Sequence, residues 1–256
     1  MDDKDTSFTD KNIEQFYKLS GGGSSYVSDF INSSSGIVPI YHCLPIDDND
    51  LYLDGLFYRF GVKGEGSCFF HSFCLAMNIL NYHQAYLDHN VEECQRIAQD
   101  TRCSCVSNMS VDGYHAFLED EKKLTPNTFQ FHNVVDRQRE LIDSEEQLHD
   151  KFCNLYIWAD EPMIRMISRQ YNLNILALDI SGNKLYCGVH GIQIDSQPLL
   201  LIAWTDRKHF EPIGRFISID KDNIQVQFLF HPGKDQKIID YIMHKYDLTC
   251  PCVRSK

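Results

Sequence analysis

Long apolar runs are missing from this sequence. No stretch reaches the roughly 18 apolar residues of a membrane-spanning helix, so no membrane association is expected. The start, MDDKDTSFTDKN, has no basic segment leading into an apolar run, so a secretory signal is not expected either, and the chain is read as cytoplasmic. Basic residues are scarce relative to acidic ones: 24 Lys and Arg face 36 Asp and Glu, for a net charge of −12. Nucleic-acid binders normally carry the opposite sign, because Lys and Arg make the phosphate contacts, so nucleic acid is not an expected partner. A basic protein partner suits this balance better, since opposite potentials steer encounter. There is no internal repeat.

What is present is ordinary globular composition, 43% hydrophobic and 23% charged over 256 residues. That is room for one domain of about 150 to 200 residues with extensions, or two small ones. Ten cysteines, with no export signal and enough chain to build a core, are expected as reduced thiols. The two C-x-C pairs, Cys103/Cys105 and Cys250/Cys252, have neither a second pair nor a His at zinc spacing, so no metal and no cofactor is expected.

Residues 1–36 read as a flexible polar extension, with linker composition in SGGGSS (20–25) and NSSSG (32–36) around an apolar island of Tyr26, Phe30 and Ile31. Regular structure is expected from Ile37. IVPIYHCLPI (37–46) is β-like, though its prolines demote it to an edge, and FYRFGV (57–62) is a short strand. Apolar residues at 70, 73, 74, 77 and 80 predict an amphipathic helix, and a second helix runs through Leu87, Val91, Cys94 and Ala98. Residues 101–135 read as irregular. Leu141, Leu148, Phe152 and Leu155 predict another helix, and Asp160-Glu161-Pro162 starts one that buries Met163, Ile164, Ile167 and Tyr171. The period then changes. NILALDI (174–180), LYCGV (185–189), LLLIAW (199–204), FEPIGRF (210–216) and IQVQFLF (224–230) are strand-like. A last helix carries Ile238, Ile239, Ile242, Met243 and Tyr246. Helices followed by strands predict an α+β fold, a mixed or antiparallel sheet flanked by helices. The main domain is expected over 37–230, with a C-terminal helix and tail at 231–256.

Cys68 follows a glycine loop, Gly64-Glu65-Gly66-Ser67, and opens the first helix, with Ser67 as N-cap. The positive end of a helix stabilises a thiolate, the nucleophilic form, and the glycines let backbone N–H groups converge as an oxyanion needs. By position alone a buried structural cysteine is the more common case. Such a nucleophile also requires an imidazole. His209 begins the strand after the Asp206-Arg207-Lys208 turn, where it can reach solvent, and Glu211 shares its strand face. His209 lies 141 residues after Cys68, within the roughly 130 to 150 of papain-like enzymes. His71, three residues after Cys68 on the same helix, is a weak rival as base.

These residues resemble a known family. G-E-G-S-C-F-F-H-S (64–72) is similar to the nucleophile signature of OTU (ovarian tumour) cysteine proteases, Trp158-Ala159-Asp160-Glu161 with the following helix and NILALDI to the family's central block, and His209-Phe210-Glu211-Pro212-Ile213 to its C-terminal block. The resemblance covers about residues 50–220, with the flavour of OTU domains of large DNA viruses, hence host cytoplasm for a viral chain. It implies a papain-like OTU fold and a deubiquitinase: a monomer that hydrolyses the isopeptide bond after the C-terminal glycine of ubiquitin or polyubiquitin, with ubiquitin-like modifiers as further candidates. It implies Cys68 as nucleophile, His209 as base, and an oxyanion loop of Gly64, Gly66 and Ser67. Glu65 and Glu211 stand where the family usually has Asp, and Asn or Asp. Glu211 is expected to orient His209 and Glu65 to organise the loop, with the reverse assignment open. The alternatives are a catalytically silent ubiquitin-binding module, and a papain-like peptidase or acyltransferase with another substrate. Trp204 is a candidate to flank the substrate tail, though core packing is the commoner role of such a Trp, and Trp158 is expected to pack at its helix start. The acidic stretch from Asp143 to Asp150 reads as a solvated helix face, with contact to arginines of the modifier as the alternative.

Overall fold

A computed structural model of the chain describes residues 6–8, 41–43, 57–64, 66–88, 90–124, 136–137, 141–154, 157–179, 187–190, 196–205, 209–220 and 223–245. Three short strands come first, β1 (Thr6–Phe8), β2 (Tyr41–Cys43) and β3 (Phe57–Phe60). Six α-helices follow among the described residues: α1 (Cys68–Met77), α2 (Tyr82–Leu87), α3 (Val91–Ser104), α4 (Val111–Leu124), α5 (Glu145–Cys153) and α6 (Glu161–Tyr171). The second half holds β4 (Asn174–Asp179), β5 (Cys187–His190), β6 (Leu199–Thr205), β7 (His209–Asp220), β8 (Asn223–Gln227) and β9 (Leu229–Phe230), then α7 (Gln236–Lys245).

The fold is α+β, as expected: a mixed sheet flanked by helices. Its main path runs β1-β8-β7-β6-β4-β5, with β3 joining β7, β2 joining β3 and β9 joining β6. Only β4 and β6 pair in parallel among the described strands; Ile175 faces Leu200 and Ala177 faces Ile202. The pair is buried, as the unbroken apolar run of Leu199 to Ala203 requires. The long strand β7 organises the rest. Among the described strands its start is bordered by β6 alone, with Thr205 opposite His209 and Trp204 opposite Phe210, and β3 joins only from Ile213. Pro212, which has no N–H to give a ladder, falls in that singly paired stretch. Gly214 leaves room for side chains of the neighbouring strand and the residue after it: a Cβ there would sit 2.8 Å from Val226 Cγ1 and 2.9 Å from the Phe228 ring.

Several expectations need correction. Regular structure begins before Ile37, because β1 pairs with the edge of β8, a long-range partner that local composition cannot reveal. The first helix is not amphipathic. Every residue from Cys68 to Ala76 is buried, since α1 is packed against β7 on one side and α3 on another. It stops at Met77, and the following turn holds Asn78, Leu80 and Asn81 at positive φ (49°, 46° and 62°), so Leu80 is 64% exposed rather than in the core. Asn tolerates that conformation because its short amide can bond locally; Asn78 Oδ1 accepts from His83 N at 3.0 Å. The second predicted helix is two, α2 and α3, divided where the Asn90 side chain caps α3 by accepting from Glu93 N. Residues 101–135 are not irregular throughout: α3 runs on to Ser104 and α4 occupies Val111–Leu124, burying Tyr114, Leu118 and Glu121 on one stripe. Leu141 is 60% exposed and lies before α5, whose buried face is Leu148 and Phe152. Trp158, expected to pack, is 48% exposed.

The start of α6 is as read. Asp160 caps it by accepting from Met163 N, Pro162 sits in its first turn, and Met163, Ile164 and Ile167 are buried. The Asp143–Asp150 face of α5 is largely solvent-exposed. The expectation of reduced thiols fails for one pair: Cys103 on α3 and Cys153 at the end of α5 form a disulfide, Cα atoms 4.8 Å apart, closing a 50-residue separation. Cys68, Cys74, Cys94 and Cys105 are free and buried. The apolar island at 26–31, the 206–208 turn, Leu155, Tyr246 and the Cys250/Cys252 pair lie outside the described residues. Among the described residues no helix is long and apolar enough to cross a membrane, and no three His, Cys, Asp or Glu side chains are grouped to hold a metal ion.

Candidate active site

The site forms where the start of α1 meets the start of β7. Cys68 is the first residue of α1 and 3% exposed. His209 is the first residue of β7 and also 3% exposed, not at the solvent edge where the sequence placed it. Two contacts fix this junction. Phe69 meets Phe210 edge to face, ring centroids 5.7 Å apart. The buried Ser72 hydroxyl lies 2.9 Å from both the carbonyl oxygen of Cys68 and that of Phe210, so one side chain links the residue that opens the helix to the neighbour of the histidine. Ser72 was not singled out in the sequence, although it lies one helical turn after Cys68 and so had to share its face. Ser72→Ala is expected to lower the unfolding free energy by about 1–2 kcal/mol, because the one hydroxyl proton that the buried Cys68 and Phe210 carbonyls share is lost. Urea unfolding midpoints measure it, and coincident curves for variant and wild type would refute the link.

Glu211 is 4% exposed, and its Oε1 lies 3.5 Å from His209 Nε2, the long end of a hydrogen bond but within ion-pair reach. Burial by itself lowers the imidazole. Hydrogen bonds with the Cys68 and Glu211 side chains, and their negative charge, outweigh it and raise His209 from 6.5 to about 10. The imidazole therefore keeps its proton through neutral pH. Burial pushes Cys74 and Cys105 up to about 12 and Cys94 to about 11, which leaves them protonated and inert. His71, the rival base, is fully buried and engaged elsewhere, its Nδ1 2.7 Å from the Tyr82 hydroxyl.

Cys68, His209 and Glu211 are thus brought together. In the loop ahead of the cysteine, Gly64 is exposed, while Gly66 and Ser67 are buried. Glu65 lies outside the described residues, so Glu211 is the carboxylate seen beside His209. Ser67 occupies the N-cap position but makes no side-chain cap. Its hydroxyl accepts instead from Arg102 Nη1 at 3.1 Å. Trp204 is half-buried and stacks on Phe210, centroids 6.1 Å apart, at the rim of the core next to the histidine. Arg102 also went unremarked in the sequence, and no signal there could have found it: an arginine in the polar run TRCSC reads as solvent-facing.

No protein-family model matches the chain, and no curated protein does. Solved structures of OTU domains are similar to it. The OTU domain of OTUD1 matches at 13% identity and a TM-score of 0.37, covering 61% of this chain and 85% of that one. An ovarian tumor domain in complex with ubiquitin matches at 11% and 0.40, covering 75% and 85%. The viral OTU domain protease from Farallon virus matches at 17% and 0.35, covering 69% and 97%. At these scores the likeness carries no functional weight.

Proposed function

We propose that the chain is a cysteine hydrolase acting on ubiquitin conjugates, with Cys68 as nucleophile, His209 as proton carrier and Glu211 as the residue that orients His209. One observation carries this: an imidazole with a buried carboxylate 3.5 Å from its Nε2 stands at the start of the strand packed on the helix that Cys68 opens, and the two side chains beside it, Cys68 and Glu211, raise it above its ordinary value. With Nε2 turned to Glu211, Nδ1 is the nitrogen for the sulfur. Cys68 Sγ attacks the carbonyl carbon of the terminal glycine, and the oxygen gains the charge beside the first-turn N–H groups of α1, which have no partner within their own helix. His209 gives its proton to the leaving lysine amine, the C–N bond breaks and a thioester remains. His209 then takes a proton from water, whose oxygen displaces the sulfur.

Ubiquitin as the substrate is supported by the G-E-G-S-C and H-F-E-P-I motifs, by the net charge of −12, and by the closure of the site. With Cys68 and His209 each 3% exposed, only a slender segment can reach the sulfur, and a tail ending in glycine is the narrowest a polypeptide offers. The same closure favours one rival, a silent module that binds ubiquitin without cutting it. Ubiquitin carrying an electrophilic C-terminus decides the matter. A covalent adduct at Cys68, lost in Cys68→Ala, is the expected result. Binding without an adduct supports the silent module, and neither binding nor adduct points to another substrate for the same dyad.

A further inference from the structure

Arg102 on α3 is fully buried, and the groups around it are unusual for a cation. Nη1 donates to the Ser67 hydroxyl (3.1 Å) and the Gly66 carbonyl (3.4 Å), Nη2 to the Lys151 carbonyl (3.1 Å) and toward Met163 Sδ (3.9 Å), and Nε to the Phe152 carbonyl. The guanidinium carbon lies 5.3 Å from the Phe70 ring centroid. Among the described residues none of its hydrogen bonds goes to a carboxylate. The charged and titratable groups that bear on it are Asp160, Cys105 and Cys68. Asp160 is already committed, its Oδ2 to Lys151 Nζ at 2.5 Å and its Oδ1 to the cap of α6.

Two features make this more than a strut. First, Lys151 and Phe152 lie in the last turn of α5, where carbonyls have no intrahelical donor, so the planar fork joins a helix end to the loop before Cys68. A lysine ammonium cannot span both. Second, the bond to Ser67 removes the one side chain placed to cap α1. An N-cap serine would otherwise accept from the N–H of the second or third helical residue, and that donor would be lost to an incoming oxygen.

We propose that Arg102 is the positioning residue of the nucleophile loop: it holds Gly66 and Ser67 so that the first turn of α1 stays uncapped and available to the acyl oxygen, and it sets a fixed positive charge behind Cys68. The proposal rests on Cys68 being the nucleophile. Burial lowers the guanidinium to about 10, which still leaves it a cation at neutral pH.

The test follows alkylation of Cys68 by iodoacetamide in the full chain, read by mass spectrometry of the Cys68 peptide across pH, beside labelling by the ubiquitin electrophile. Near-UV circular dichroism checks folding. Arg102→Met is expected to raise the pH midpoint of alkylation by about one unit, because a cation has left the sulfur. Arg102→Lys is expected to hold the midpoint near that of the wild type yet label roughly ten-fold more slowly, since the charge remains and the fork does not. If Arg102→Met does not fold, Arg102→Lys decides alone: labelling at the wild-type rate overturns the positioning role. A folded Arg102→Met with an unmoved midpoint overturns the charge role. Alkylation needs no ubiquitin, so a wild-type chain that ignores the ubiquitin electrophile sinks the proposed substrate while the midpoints still report on Arg102. A wild-type Cys68 that resists alkylation at every pH overturns both.

Discussion

Replacing His209 with Ala is expected to slow cleavage of a ubiquitin conjugate by roughly a thousand-fold or more, the loss of both the proton donor to the leaving amine and the base for the attacking water. Glu211→Gln is the more informative companion. The wild-type imidazole stands at about 10, raised from 6.5. A group raised in this way adds stability that is fully present below about pH 6.5 and is lost as pH climbs through about 10. The same proton is needed in catalysis, so the alkaline limb of the pH–rate profile reports the loss of the imidazolium. Glutamine keeps a polar contact but removes the negative charge, so that limb should fall by about one to two pH units while the rate on the plateau drops less than in His209→Ala. Cys68→Ala removes the other partner of the ring, and NMR titration of His209 in that variant should show the ring losing its proton at a lower pH than in the wild type. An alkaline limb that stays in place in Glu211→Gln would show that Glu211 does not orient His209 and would return that role to Glu65.

Much of this site was legible because its chemistry is local. Asp160-Glu161-Pro162 announces a helix start through a cap, an acid and a proline, and α6 begins there. His209 and Glu211 share a strand face by the two-residue period alone, and they meet at 3.5 Å. Cys68 opens α1 because a glycine-containing loop runs into an apolar stretch. What could not be read depends on partners far along the chain. Arg102 and Ser72 are polar residues whose partners lie on α5 and β7, and nothing near them in sequence shows that they are buried. The pairing of Cys103 with Cys153 is likewise a matter of which helices pack together. Helix α4 was hidden by its own charges: Val111, Tyr114, Phe117 and Leu118 keep the helical period, but five acidic and basic side chains from Glu119 to Lys123 mask it. One of those charges, Glu121, turned out to face inward.

Glu121→Ala is expected to cost about 3–5 kcal/mol of stability, the range for breaking a buried ion pair by removing one partner. Glu121 on α4 is 3% exposed, and it meets two arginines of α6. Its Oε2 lies 2.8 Å from Arg165 Nη1, and its Oε1 pairs with Arg169 Nε. Arg165 is itself buried and also holds Glu161 Oε1 at 2.8 Å, while the Arg169 guanidinium lies over the Phe117 ring at 5.2 Å. Removing the carboxylate leaves Arg165 with one anion in place of two, in a setting where water cannot substitute. The loss bears on the site as well as on the fold, because α6 carries Met163, one of the groups around Arg102. A pure charge effect and a packing effect separate in the double variant Glu121→Met/Arg165→Met. Apolar side chains of similar volume avoid the desolvation of both ions, so this pair should recover most of what Glu121→Ala loses, measured as the urea midpoint at constant slope. If the single variant unfolds within about 1 kcal/mol of the wild type, the network is as weak as an ordinary surface pair.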